Sequence, residues 1–400
     1  MIFNLNEFLM SIANALDAIE IDIFGMPTNH SKRIAYISVI LARELRFSDE
    51  EIFDLASLSI MHDNGASMKI LNDNLNATAK EKINISESKK EHCTIGEDNI
   101  RNFPFMTSPQ NIIKYHHEKC DGSGFFGLTE SEIPLFAQII ALADTLDLNF
   151  DLRHVGNKNK FIAFVDDHRN TYFSIPLSDI FIKISDDEFW DSLTDDNIDD
   201  KLMEVIPKFN NELDFKQIRA ITKTFSKIID AKSKFTRSHS SGLSDKLKIM
   251  AEYYGIDSEI TLKLLIAGDL HDLGKLVINN RILDKPGKLT NEEIIEMMTH
   301  PVITKECLQF ITGFEDITKW ASNHHEKLDG SGYPEGLTAK NLDFNSRLLA
   351  CLDIYQALRE ERPYLEAMDH KQAMNILNDM SEKGKLDYNI VRNINTVFQY

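Results

Sequence analysis

Five histidines and two aspartates in the second half of the chain, His239, His271, Asp272, His300, His324, His325 and Asp353, have the types and spacing that gather metal. Nitrogen and oxygen donors without thiolate favour iron, manganese, nickel or zinc over softer ions. Because Asp272 directly follows His271, its carboxylate can bridge two ions while the imidazole binds one of them. A bridged divalent pair activates water near neutral pH and clamps both oxygens of an in-line displacement at phosphorus, which is phosphodiesterase chemistry. Any one histidine fits a hydrogen-bonded core or surface role, as expected for His154, His168 and His370, which belong to no motif. The ordered set carries the expectation.

The chain contains this set twice. Pairing the halves sets His30 against His239, His62 against His271, His92 against His300, His116 against His324 and Asp144 against Asp353, at offsets of 209, 209, 208, 208 and 209. The run from His324 reads His-His-Glu-Lys-Leu-Asp-Gly-Ser-Gly-Tyr-Pro, and that from His116 reads His-His-Glu-Lys-Cys-Asp-Gly-Ser-Gly. A near-constant offset carried by polar residues means two copies of one domain. The first copy thus offers a second candidate metal site at His30, His62, Asp63, His92, His116, His117 and Asp144.

Side chains so far apart in the chain need elements that gather them, and the periodicity around them is helical. Ile34, Ile37, Leu41 and Leu45 recur at helical spacing, and Ile260, Leu264, Ala267 and His271 share one helical face. Asp257 or Ser258 can cap the second of these helices and Gly274 is expected to end it. Thr290 to Leu308 reads as one helix, with Thr290 and Glu293 as a capping box and His300 facing inward before Pro301. Glycine makes the loop from Asp329 to Tyr333 tight. Phe161–Val165 and Tyr172–Ile175 look like short β-runs, and Asp186–Asp200 carries eight acids and no base. The expected fold class is therefore all-α, two helical bundles in tandem with a small β-like insertion and an acidic, solvated connector between them. The expected domains are 1–150, 151–209 and 210–400, with a long amphipathic helix from Phe215 to Ile229 leading into the second copy.

With 400 residues and 42% apolar content, the chain can bury the cores of two or three domains. Its apolar runs are too short or interrupted to span a bilayer and its start lacks the basic flank of a secretory signal, so a soluble cytoplasmic protein is expected. Cys93, Cys120, Cys307 and Cys351 show no CxxC spacing and are expected to be reduced core thiols. A formal charge of −19 repels a phosphate polymer, which speaks against an extended nucleic-acid footprint, although a small anion can still meet a local cation or a metal.

Five segments in order, His271-Asp272-Leu273-Gly274-Lys275, Lys285 to Thr290, His300-Pro301, His324-His325-Glu326 and Asp329 to Pro334, give residues 215–370 a close resemblance to the HD-GYP family of cyclic-dinucleotide phosphodiesterases. The resemblance implies a helical HD-type fold, a di- or trinuclear metal centre that is usually iron, and hydrolysis of c-di-GMP or 3'3'-cGAMP to a linear dinucleotide, with further cleavage to mononucleotides left open. It implies that the seven side chains are ligands, that Asp272 bridges the metals, and that Lys275 contacts the scissile phosphate, a role suited to a compact cation. Lys275 equally suits a helix C-terminus. The resemblance also sets Gly332, Tyr333 and Pro334 beside the substrate and gives Arg347 a share in holding it. Members with a third metal carry a glutamate one turn before the first histidine; Phe235 stands there, so two divalent ions are expected, with Asp230 a remote substitute. Lys285 and Lys288 read equally as substrate-steering or as ordinary solvated charges.

The first copy departs from the family. Ala66 stands where the second copy has Lys275, Gly124-Phe125-Phe126 replaces Gly-Tyr-Pro, and Asn72–Ala77 replaces the Lys-Pro-Gly-Lys run. Losing the phosphate cation forfeits about 3 kcal/mol of transition-state stabilisation. A catalytically weak or dead first copy that packs on the second and regulates it is the expectation, with a structural relic as the alternative. Two other readings of the whole chain stay open: a non-catalytic cyclic-dinucleotide sensor or scaffold, which has no need of Lys275, and an HD-type nucleotide phosphohydrolase, which has no need of Gly-Tyr-Pro. Oligomeric state is not legible in the sequence.

Overall fold

Side-chain caps start several of the helices. Ser48 with Glu51, Asp214 with Gln217, Thr290 with Glu293 and Asp369 with Gln372 form reciprocal capping boxes, and the carboxylates of Asp257 and Asp343 accept first-turn N–H groups. The computed structural model describes residues 1–24, 26–66, 82–154, 158–233, 239–360 and 367–399. The chain divides into one unit of Asn4–Asn211 and another of Met1–Phe3 with Glu212–Tyr400.

The first unit holds α1 (Leu5–Phe24), α2 (His30–Glu44), α3 (Asp49–Ile60), α4 (Lys82–Asn99), α5 (Leu135–Asn149), α6 (Lys158–Asp167), α7 (Ile175–Ile184), α8 (Asp187–Asp191) and α9 (Ile198–Val205). Its centre is α2, against which α3, α5, α7 and α9 pack. The second unit holds α10 (Phe215–Lys232), α11 (His239–Tyr254), α12 (Ser258–Leu270), α13 (Asn280–Leu283), α14 (Asn291–Met297), α15 (His300–Leu308), α16 (Glu315–Ser322), α17 (Phe344–Leu358), α18 (His370–Glu382) and α19 (Tyr388–Val397). Here α12 is central and packs on α10, α11 and α16. The stripe Ile218, Ile221, Phe225 and Ile229 of α10 is buried, each side chain contributing about 1.5–3 kcal/mol. The Met1 ammonium donates to the Leu213 carbonyl at 2.6 Å, which ties the first three residues to this unit.

Both units are helical, as expected, but the interval between the motif sets differs from its reading. Phe161–Val165 is not a strand: it lies in α6, where Phe161 and Val165, one turn apart, are both buried. Phe161 packs its ring 4.8 Å from Phe150 and 5.1 Å from Trp190, so tertiary packing overrides the β-propensity of the run. Tyr172 and Phe173 form the turn into α7. Nor is Asp186–Asp200 a solvated connector, because Phe189, Trp190, Leu193 and Ile198 between the acids are buried, and Lys32 and Arg33 of α2 pair with Asp199 and Asp195. In chain order α6 and α7 follow α5 as α18 and α19 follow α17. What looked like an insertion completes the first bundle.

Two further elements differ. Thr290–Leu308 breaks into α14 and α15 at Met298–Thr299, since Pro301 lacks an N–H to continue a helix and restricts the residue before it. The helix before Gly274 ends at Leu270, and Gly274 serves close packing instead, since a Cβ there would lie 2.0 Å from the His300 carbonyl oxygen. Gly65 has the same relation to His92, also at 2.0 Å. No helix among the described residues is long and apolar enough to cross a membrane.

Candidate metal centre

The histidine candidates of the second unit stand at element ends, where a side chain can point along an axis instead of out from it. His239 and His300 are the first residues of α11 and α15, His271 follows α12, His324 and His325 follow α16, and Asp353 lies in the buried part of α17. Four imidazoles have Nδ1 bonded away from the centre: His271 to Gly268 O at 2.8 Å, His300 to Met297 O at 2.6 Å, His324 to Ala321 O at 2.7 Å, and His239 to Glu360 Oε2 at 2.9 Å. In His271, His300 and His324 Nδ1 is thereby the protonated nitrogen facing an oxygen acceptor, and Nε2 is left with its lone pair facing inward.

The inward atoms converge. His239, His271 and Asp353 form one group whose ligand atoms lie within 4.8 Å of one another, and His300, His324 and His325 form a second. Asp272 sits between them: Oδ2 is 3.3 Å from His271 Nε2, while Oδ1 is 3.5 Å from His300 Nε2 and 3.7 Å from His324 Nε2. Asp353 Oδ1 is 3.2 Å from His239 Nε2. His239 Nε2, His271 Nε2 and Asp272 Oδ1 are buried without any hydrogen-bond partner, a cost of about 1–3 kcal/mol each that a cation removes. The donors therefore fit metal in two adjoining positions.

Electrostatics agree. Burial, with the charges of neighbouring groups, drives His324 and His325 well below the usual imidazole range, and burial with the nearby Lys275 charge takes His300 down to about 4, so all three are neutral donors. Burial disfavours the Asp272 carboxylate, but His271 and Lys275 beside it outweigh that and hold it well below the carboxylate range. For His239 burial is overcome by the nearby Asp353 carboxylate and by Glu360 on Nδ1, which push it up to about 9. Metal at His239 must therefore displace a proton.

Lys275, in a 3₁₀ turn after Asp272, places Nζ 2.5 Å from Asp272 Oδ2. Tyr333 holds its ring 4.8 Å from that of His325. Its loop is pinned by the buried Glu326 carboxylate, which accepts the N–H of Glu335 at 2.7 Å and of Leu337 at 2.9 Å. At Gly332 a Cβ would come within 2.4 Å of Lys327 N, so the loop closes only around glycine. Arg347 is elsewhere engaged: it donates to the carbonyls of Leu342 and Ala339 and pairs with Asp387 at 3.2 Å. Lys285 pairs with Glu293, which accounts for its charge locally. Phe235 and Asn72–Ala77 lie outside the described residues. His154 is exposed, His168 bonds to Phe164 O, and His370 bonds to the Tyr355 hydroxyl and Asn395; none joins the cluster.

The first unit gathers its set in the same manner. His30 opens α2, His62 follows α3, His92 lies in α4, His116 and His117 occupy a turn, and Asp144 lies in α5. Asp63 Oδ1 is 3.2 Å from His92 Nε2 and 3.3 Å from His116 Nε2, and Asp144 Oδ1 is 3.4 Å from His30 Nε2. His30 Nδ1 meets Asp147 Oδ2 at 2.6 Å, and Arg33 grips the same carboxylate at 2.8 and 2.9 Å. Ala66 is buried at the place of Lys275, and the ring of Phe125 lies 5.0 Å from that of His117.

Three supporting carboxylates escaped the sequence reading. Asp147 lies one turn after Asp144 on the same helical face, and Glu360 follows Asp353 by seven residues, just beyond the end of α17; that helical spacing was the available signal. Glu20, whose Oε2 lies 3.7 Å from His30 Nε2, comes from the preceding helix and left no such trace.

A family model described as HD domain matches residues 22–164 and 223–390. The chain is 30% identical to the 3'3'-cGAMP-specific phosphodiesterase 1 of Vibrio cholerae, over 99% of this chain and 93% of that protein. It is 27% identical to the 3'3'-cGAMP-specific phosphodiesterase 3 of the same organism, over 94% and 91%. A cyclic di-GMP phosphodiesterase response regulator of Xanthomonas campestris is 33% identical over 44% of this chain and 46% of its own. The crystal structure of a cyclic GMP-AMP phosphodiesterase of V. cholerae shares the fold, with a TM-score of 0.69 at 24% identity over 100% of this chain and 98% of that one.

Proposed function

The chain belongs to the HD domain family, in its HD-GYP branch of metal-dependent cyclic-dinucleotide phosphodiesterases, and on that premise we propose that its C-terminal copy hydrolyses 3'3'-cGAMP to a linear dinucleotide. The observation that carries the reading is Asp272, with one carboxylate oxygen toward His271 and the other toward His300 and His324. His239, His271 and Asp353 would hold one ion and His300, His324 and His325 the other, with Asp272 placed to serve both. Iron is the ion proposed, as the resemblance to the HD-GYP family implies, and the donor set, without thiolate, suits iron, manganese, nickel or zinc. When bound, such a pair supplies Lewis-acid polarisation of the phosphoryl oxygen and activation of water.

The chain's own residues do the remaining work. Lys275 turns from Asp272 toward a non-bridging phosphate oxygen and offsets the charge that grows there in the transition state. Tyr333 and Pro334 form a wall beside His325 against which the dinucleotide rests, and Glu326 keeps that wall in place. The N-terminal copy, with Ala66 for the lysine and Phe125 beside His117, does not turn substrate over and regulates the second.

The relatives aligned along nine-tenths of their length bear 3'3'-cGAMP in their names, whereas the c-di-GMP relative aligns over less than half, which favours the mixed dinucleotide. Incubating metal-loaded protein with each dinucleotide in parallel and resolving products by chromatography tests this. Linear product from 3'3'-cGAMP ahead of c-di-GMP is expected; the reverse order reassigns the substrate, and two intact dinucleotides remove the reading.

A further inference from the structure

The N-terminal copy lacks the phosphate-facing cation, yet its core keeps Glu20 Oε2, His62 Nε2, Asp63 Oδ1, His92 Nδ1, His116 Nε2 and Asp144 Oδ2 buried without hydrogen-bond partners. A relic serving only to hold helices together would have lost such atoms to apolar ones, because each is costly to bury unpaired. Two donor groups include several of these side chains. Glu20, His30 and His62 bring ligand atoms within 4.8 Å of one another, and so do His92, Cys93, His116 and His117. Cys93 is a buried thiol whose Sγ lies 3.4 Å from His92 Nε2.

Neither Glu20 nor Cys93 has a counterpart in the C-terminal cluster. At the offset of His92 and His300, Cys93 corresponds to Pro301. At the offset of His30 and His239, Glu20 corresponds to Ile229; the adjacent Asp230 carboxylate accepts the hydroxyl of Ser240 at 2.7 Å and its N–H at 3.3 Å. We propose that the N-terminal copy holds metal of its own in a centre chemically distinct from the catalytic one, with the Cys93 thiolate joining three imidazoles at one ion and the Glu20 carboxylate joining His30 and His62 at the other. Binding forms a sulfur–metal bond and releases the thiol proton to solvent. A thiolate with three imidazoles is a set that zinc fills tetrahedrally, whereas the C-terminal donors are nitrogen and oxygen alone. This inference does not depend on which dinucleotide the other copy cleaves.

The test uses the full-length chain loaded with Co(II) in place of its native metal, read by near-ultraviolet absorption. A thiolate-to-cobalt charge-transfer band is expected in the wild type, lost in Cys93→Ser and kept in a variant with Cys120, Cys307 and Cys351 all changed to serine. A wild-type chain that binds cobalt without that band, or a Cys93→Ser chain that keeps it, overturns the thiolate assignment, the first without recourse to any variant. Metal per chain by mass spectrometry is expected to fall by about one ion in the near-isosteric Glu20→Gln. An unchanged count in Glu20→Gln, with far-ultraviolet dichroism unaltered, removes Glu20 from the centre.

Discussion

Lys275 and Glu360 each touch one of the candidate ligands, Lys275 at Asp272 and Glu360 at His239. Lys275 is 2.5 Å from Asp272, yet the imidazoles bind without it. Lys275→Ala should therefore lower kcat by about 10²–10³-fold, at unchanged metal content and little changed dinucleotide affinity. Steady-state kinetics beside metal analysis checks this, and a parallel loss of metal would make the lysine structural. Glu360 acts through His239 by fixing its ring and basicity. Glu360→Gln should weaken metal affinity by about 10–100-fold. His239 also sets a pH dependence. The neighbouring Asp353 carboxylate and the bond to Glu360 keep it protonated up to about 9, and proton and metal compete for Nε2, so apparent metal affinity should rise with pH from 6 through 8. Titrations at those pH values that gave a flat or falling affinity would contradict the arrangement. The ligand types were legible because motif residues keep fixed neighbours in the chain. Glu20 was not, since it meets the centre through three-dimensional placement alone, and Glu360 left only its spacing after Asp353 as a signal.

At the scale of elements, the centre depends on how closely α15 approaches the turn after α12. Gly274 allows that approach: its N–H donates to Thr304 Oγ1 at 3.0 Å, and Thr304 in turn donates to the His271 carbonyl at 3.1 Å. A methyl group at Gly274 would collide with the His300 backbone, so Gly274→Ala should cost roughly 1–3 kcal/mol and lower metal content as His300 is displaced. Urea unfolding with metal analysis measures both, and a wild-type midpoint with full metal would refute the packing argument. The helices were readable from periodicity and caps, as at Asp214–Gln217 and Thr290–Glu293. What periodicity concealed was packing context: Phe161 and Val165 are β-formers buried in α6, where Phe161 packs on Trp190, and the acids of 186–200 hide an apolar face.

At the scale of the molecule, a −19 chain cleaves an anion, so its long-range field opposes encounter while the centre attracts. Raising ionic strength from about 0.01 to 0.15 M shortens the screening length from roughly 30 to 8 Å and should raise kcat/KM, by up to about tenfold. A steep fall would point to an extended basic footprint instead. The N-terminal copy is braced by Arg33 on Asp147, both fully buried, and Asp147→Ala removes the two-point partner of that guanidinium and leaves it Asp195 alone, at a cost of about 3 kcal/mol. Its unfolding transition should move down and turnover at the C-terminal centre should change; unaltered turnover would deny the first copy a regulatory role. The division of labour between the copies is most directly tested by comparing Asp63→Ala and Asp272→Ala in the full chain, with products and bound metal measured in the same samples. Linear dinucleotide from Asp63→Ala and none from Asp272→Ala is the predicted result, and turnover that survives in Asp272→Ala while vanishing in Asp63→Ala would contradict it.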